Sequence, residues 1–186
     1  LMTHSSLPPF LSSLLIQRFT SSNPSSAYLA RVSRVWVDDS TGESADLGEV
    51  IKAILLDPEA LSGGAGHQFR GKVREPIIRY ASLARAFNLV SESGKYSTNQ
   101  PLLNDDLGQF PMLSPSVFNF YLPDFAPEGE FRVAGMVSPE LQLASLSQML
   151  RSDSRFSASV EESGVFGSFD FTKELALANE PSALID

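Results

Sequence analysis

No cysteine occurs in the 186 residues, which excludes disulfides and thiolate-held metals. Histidine is nearly as scarce, with His4 and His67 the two in the chain. Neither stands in a His-x-x-x-His spacing, and no Gly-x-Ser-x-Gly occurs, so the usual metal-ligand and nucleophile-elbow signatures are missing. Charge is thin too: 19% of residues carry it, below the quarter usual in globular proteins. What charge there is sums to −8. With no local run of lysine or arginine to offset it, binding to a phosphate backbone is disfavoured and no nucleic-acid partner is expected. No apolar run approaches the ~20 residues that cross a bilayer, and no signal peptide is visible at the N-terminus.

What is present is a globular composition, 42% hydrophobic and 10% aromatic, enough for one domain with a real core. A single helical domain over 1–186 is expected. Leu1 to His4 lie directly ahead of a helix, and Glu180-Pro181-Ser182 reads as the first turn of another, so the chain is read as a fragment of a longer polypeptide.

Apolar spacing and caps place four helices in the first half. Paired prolines open one at about Pro8, which runs to Thr20. On a wheel, Phe10, Leu11, Leu14 and Leu15 define its face, and Arg18 falls in the middle of it. A guanidinium there implies a carboxylate or a cluster of carbonyls elsewhere in the fold. Asn23-Pro24 reads as N-cap and first residue of the second helix, with Tyr28, Leu29, Val32, Val35 and Trp36 as its stripe. Asp46 caps a third, facing inward through Leu47, Val50, Ile51 and Ile54, and Asp57-Pro58 ends it. Pro76 opens a fourth, with Ile77, Tyr80, Ala81, Ala84 and Phe87 inward.

Residues 91–137 are irregular and rich in proline and phenylalanine. Their aromatic content argues for a long ordered loop rather than disorder. A fifth helix is expected from Ser138, with Leu143, Leu146 and Leu150 inward. The Ser/Phe-rich stretch 152–171 fits either a loop excursion or a small hairpin. The fold expected is mainly α, an irregular multi-helix bundle with a long Pro/aromatic-rich loop and little or no strand.

Four runs, in order, resemble a bacterial family known as domain of unknown function 1800. They are Leu14-Ile16-Gln17-Arg18 with Ser22-Asn23-Pro24 and Ala27-Tyr28-Ala30-Arg31-Val32; Asp46-Leu47 with Ala53-Ile54-Leu55-Leu56-Asp57-Pro58-Glu59-Ala60; Gly71-Lys72-Arg74-Glu75-Pro76; and Leu107-Gly108-Gln109 with Ser114-Pro115-Ser116-Val117-Phe118-Asn119-Phe120. The resemblance covers about 1–145 and implies the later half of the family's domain. Members often bear export signals and accompany a second uncharacterised protein encoded nearby, which implies an exported bacterial protein, periplasmic or extracellular. The resemblance supplies no catalytic residue.

Arg18, Arg74 and Glu75 form the candidate polar cluster, with Asn119 among aromatics as a fourth member. The functional reading is a site for an anionic ligand; the structural one is an ion-pair network in which Glu75 or another carboxylate pairs Arg18. Asp38, Asp39, Glu43 and Asp46 miss the calcium-loop spacing. Gly63-Gly64-Ala65-Gly66 lacks the Gly-Lys-Ser/Thr ending of a phosphate loop. No metal and no cofactor are expected. Rich punctuation beside few nucleophiles and bases points to a binding or assembly module, its partner a protein or the missing part of the same chain. The alternative is a hydrolase whose site is shared with the missing N-terminal region.

Overall fold

The computed structural model describes residues 4–37, 46–61, 71–91, 107–161 and 168–179. Its helices are α1 (Leu7–Phe19), α2 (Ser26–Val37), α3 (Leu47–Leu56), the short α4 (Pro58–Leu61), α5 (Pro76–Ala86), the short α6 (Glu130–Val133), α7 (Leu146–Glu161) and α8 (Thr172–Ala176), with a 3-10 turn at Pro139–Gln142 before α7. The protein is mainly α. Among the described residues, β-pairing is confined to isolated bridges, Val90 with Ser168 and Ser116 with Asn119. No helix among them is long and apolar enough to cross a membrane.

Packing divides the chain into two compact units, Leu1–Val73 with Tyr121–Gln142, and Arg74–Phe120 with Leu143–Asp186. The first is built on α1 to α4. Ile16, Tyr28, Val32, Trp36, Val50 and Ile54 form its buried centre, flanked by Leu11, Leu15, Leu29 and Val35. The expected stripe of α2 therefore holds in full. That of α1 does not. Its buried residues are Ser12 and Ile16, whereas Phe10 and Phe19 are largely exposed. The inward face lies about a quarter turn from the one drawn through Phe10 and Leu14. A serine fills the core position, so hydrophobicity alone misplaced the face, and Arg18 is exposed.

Capping explains the helix starts. The Asp46 carboxylate accepts from the amides of Gly48 (2.7 Å) and Glu49 (3.2 Å), as expected for α3. Helix α2 begins two residues later than Asn23-Pro24 implies. Ser25 takes the cap, its hydroxyl accepting from the Tyr28 amide at 3.0 Å, and Asn23 is released for another task.

The second unit centres on Leu107, packed by Ile77, Tyr80, Leu89 and Phe110, so α5 presents the expected face. Phe87, Phe169 and Phe171 cluster edge-on or tilted to one another, with centroids 5.2–6.4 Å apart. The antiparallel bridge between Val90 and Ser168 ties the same ends together, at 2.9 and 2.8 Å. The fifth helix departs from expectation twice. It breaks after the 3-10 turn, and a new start forms where the Ser145 hydroxyl accepts from the Gln148 amide at 3.3 Å. It then continues through Ser152 to Glu161, so the first part of the Ser/Phe-rich stretch is helix. Leu146 and Leu150, expected inward, are exposed, while Ser152 is buried.

Candidate functional site

The Asp57-Pro58-Glu59 turn is the most densely bonded polar point of the first unit. Arg31 forks onto Asp57, Nε to Oδ2 at 2.7 Å and Nη2 to Oδ1 at 2.8 Å. Asp57 Oδ1 also accepts from the Glu59 amide at 2.8 Å. Glu59 in turn accepts from the Ser25 amide (2.9 Å) and hydroxyl at the start of α2. The Tyr28 hydroxyl donates to the Ile54 carbonyl at 2.6 Å. Burial pushes the Asp57 carboxyl up, but the Arg31 hydrogen bonds, the Glu59 amide and the Arg31 charge outweigh it and hold it below the usual aspartate range. Burial is likewise the largest influence on the Tyr28 hydroxyl and raises its pKa. These groups lock α2 to the end of α3.

A second polar centre lies at Lys72. Its ammonium donates to the carbonyls of Gln17 (3.0 Å) and Arg18 (2.9 Å) at the end of α1 and pairs with Glu140 at 2.7 Å. The lysine is 16% exposed and the glutamate 2%. Three protons thus meet three acceptors, which uses the full donor capacity of an ammonium. Beside it, Asn23 acts as a strand mimic. Its amide nitrogen donates to the Val137 carbonyl at 2.8 Å and its oxygen accepts from the Val137 amide at 2.9 Å.

These two side chains border an open groove of about 490 Å³, a size typical of ligand pockets. Gly71, Val73, Glu130, Phe131, Met136 and Val137 line it with them, together with Ser22 and Ser138. Lys72 stands in one of the family runs, but no spacing or charge pattern gave it or Glu140 a role or pointed to this groove.

The candidate residues named from sequence divide between the units. Arg18 belongs to the first, where its guanidinium lies 5.3 Å from the Tyr121 ring centroid and donates to the Tyr121 hydroxyl. Arg74, Glu75 and Asn119 belong to the second. Arg74 is exposed and donates to the Ser82 hydroxyl at 3.3 Å. Glu75 precedes Pro76 at the start of α5, and its carboxylate accepts from Gln109 Nε2 at 2.7 Å. The Gln109 oxygen accepts from the Ile77 amide at 3.3 Å, so Glu75 and Gln109 together finish the helix start. His4 caps the chain ahead of α1, its Nδ1 accepting from the Ser6 amide at 3.2 Å. Asp46 is spent on α3. Asp38, Asp39, Glu43, His67 and the Gly63 to Gly66 run lie outside the described residues.

Asn119 sits in a different setting, the second of two tight turns. In the first, the Leu113 amide donates to the Phe110 carbonyl at 3.1 Å, and in the second the Asn119 amide donates to the Ser116 carbonyl at 3.1 Å. Met112 and Asn119 both adopt left-handed backbone, at φ 66° and 69°, a region that asparagine tolerates and methionine does not favour. Turn tips normally carry Gly, Asn, Asp or Ser. Here they carry Met112, 98% exposed, and Val117, 95% exposed, with Phe118 also largely in water and Leu113 about half exposed. From Leu107 to Leu122 there is no charged residue.

No curated protein and no solved structure shows significant similarity to this chain. Residues 1–181 match the family described as Protein of unknown function (DUF1800). With nearly the whole chain matched, the protein belongs to the DUF1800 family.

Proposed function

We propose that the chain is a binding or assembly module of an exported bacterial protein, and that it docks a protein partner through the paired turns at Phe110–Leu113 and Ser116–Asn119. One observation carries this reading: Met112, Val117 and Phe118 stand in water on turn tips, within an uncharged stretch, and Met112 adopts a backbone that methionine does not favour to do so. Fully burying a side chain of this size is worth about 1.5–3 kcal/mol. A few such anchors carry most of the energy of an ordinary interface. These polar residues are engaged in architecture: Glu75 and Gln109 at a helix start, Arg31 and Asp57 between helices, Lys72 on α1. Export rests on the family resemblance.

The test compares the wild-type protein with a Val117→Ser/Phe118→Ser variant as immobilised bait in extract from the native host. Both substituted side chains are largely exposed, so the two baits should melt alike. Proteins retained by the wild type and lost from the variant support the reading. Identical retained sets, or none, refute it and return attention to the hydrolase alternative.

A further inference from the structure

Packing and chain order disagree in the first unit. Tyr121–Gln142 belongs to it, although the chain before this segment, from Arg74, and the chain after it belong to the second. The apolar centre of the first unit is drawn entirely from α1, α2 and α3, with Leu11, Leu15, Leu29, Val35 and Ala60 at its flank. No residue of Tyr121–Gln142 is among them. Tyr121 is buried but stands apart from that cluster, and residues 122–135 are exposed or half-buried.

The segment is closed on itself instead. The Leu122 amide donates to the Gln142 side-chain oxygen at 2.8 Å, and the Ser138 amide to the Phe125 carbonyl at 2.8 Å, so its two ends are tied together as in an Ω-loop. The clamps that fasten this loop to the rest of the unit are polar. Asn23 takes both backbone groups of Val137, Lys72 pairs with Glu140, and the Arg18 guanidinium meets the Tyr121 hydroxyl and ring. Polar clamps and apolar cores resist opening differently. Water replaces much of a broken hydrogen bond, so its net worth is modest, whereas segments with few buried apolar contacts open at lower free energy than the core beside them. We infer that Tyr121–Gln142 is a strap that opens as one piece from a still-folded core of α1 to α4, uncovering Asn23, Lys72 and the carbonyls of Gln17 and Arg18. Because the loop's own bonds close it, the clamps let go together.

Amide hydrogen exchange on the full chain, at neutral pH without denaturant, tests this. The strap is read at Val137 and Ser138, whose amides donate to Asn23 and Phe125, and the core at the mid-helix amides of Val32 and Ile54. In the wild type the strap amides should be protected, but less than the core amides. Ile54→Val weakens the core whether the strap is open or closed. It should therefore speed exchange at Val32 by about three- to tenfold and leave Ser138 unchanged. Asn23→Ala strands both backbone groups of Val137 and should speed exchange at Ser138 by about thirtyfold or more. Should that variant fold poorly, the wild type and Ile54→Val decide the matter alone. Equal protection of strap and core, with Ser138 and Val32 accelerated alike by Ile54→Val, overturns the inference, because the strap then opens only when the core unfolds. Unprotected Val137 and Ser138 amides in the wild type overturn it as well, as does a folded Asn23→Ala variant in which Ser138 exchange is unmoved. None of these readouts involves the turns at Phe110 to Asn119, so the strap and the docking proposal stand or fall apart.

Discussion

Replacing Lys72 by methionine gives the most exacting check of the first unit. Methionine matches most of the aliphatic stem, so packing is nearly conserved and the ammonium is what is lost. Its removal leaves the Glu140 carboxylate, 2% exposed, without its charged partner. The second oxygen of that carboxylate already makes no hydrogen bond among the described residues. Breaking a buried pair from one side costs about 3–5 kcal/mol, whereas an exposed pair is worth about 0–1. The Gln17 and Arg18 carbonyls also lose a cation at the C-terminal end of α1, a smaller effect because a helix end can take water instead. For a chain of this length about 2–4 °C of melting temperature accompanies each kcal/mol, so the shift should fall between about 6 and 20 °C. Glu140→Gln should cost less, about 1–2 kcal/mol, because Lys72 keeps both carbonyls and the amide oxygen can still accept. The double variant should be more stable than Lys72→Met alone, since no unpaired charge is left inside. Urea and thermal unfolding at neutral pH would measure all three. A shift below about 2 °C for Lys72→Met, or a double variant equal to the sum of the singles, would refute the burial argument.

Acid should act through Asp57. Its carboxyl titrates below the usual range in the folded chain, so the pair with Arg31 contributes fully above the ordinary carboxylate range, and its contribution is lost as pH falls from that range through the lowered folded value. Asp57→Asn should therefore cost about 1–3 kcal/mol at neutral pH, and its melting curve should converge on the wild type in acid; parallel curves at all pH values would contradict this. Asn23→Ala strands both polar groups of Val137, which predicts a loss of about 2–4 kcal/mol by urea unfolding. Asn23→Asp should fare no better, because a carboxylate cannot donate to the Val137 carbonyl. Met112→Gly relieves a left-handed backbone at a side chain that packs against almost nothing. It should raise stability by roughly 0.5–1 kcal/mol, measured by thermal unfolding, and a clear fall would show the side chain to be packed.

How much of this was legible beforehand follows from how local each interaction is. Helices α2, α3 and α5 could be read because their stripes and caps are written within a dozen residues: Tyr28 to Trp36, Asp46 to Glu49, Pro76 to Phe87. The face of α1 was misread because a buried serine, Ser12, contributes nothing to an apolar count. The break before α7 was missed because Ser145 is one serine among many, and only its hydrogen bond to Gln148 sets it apart. Lys72 stands in a family run, yet its role depends on Glu140, 68 positions further along, a separation no periodicity can report. Asn23 was read as a cap, the commonest use of asparagine before proline, while its actual partner Val137 lies 114 positions away.

The family runs sort by physical role, and one segment differs from the rest. Ser22-Asn23-Pro24 bonds to Gly71 and Val137; Asp57-Pro58-Glu59 holds Arg31 and Ser25; Lys72 closes α1; Glu75 and Gln109 start α5. Each buries or satisfies polar groups that would otherwise destabilise the fold. Ser114 to Phe120 does neither. Among the described residues its hydrogen bonds close its own turn, through the Ser116 hydroxyl and the Asn119 backbone, and its apolar side chains Val117 and Phe118 face water. A segment that folds tightly upon itself in order to expose valine and phenylalanine gives the chain no stability it can measure alone. Its value has to be realised against another surface, which is why substitutions at Val117 and Phe118 should leave melting unchanged while removing association.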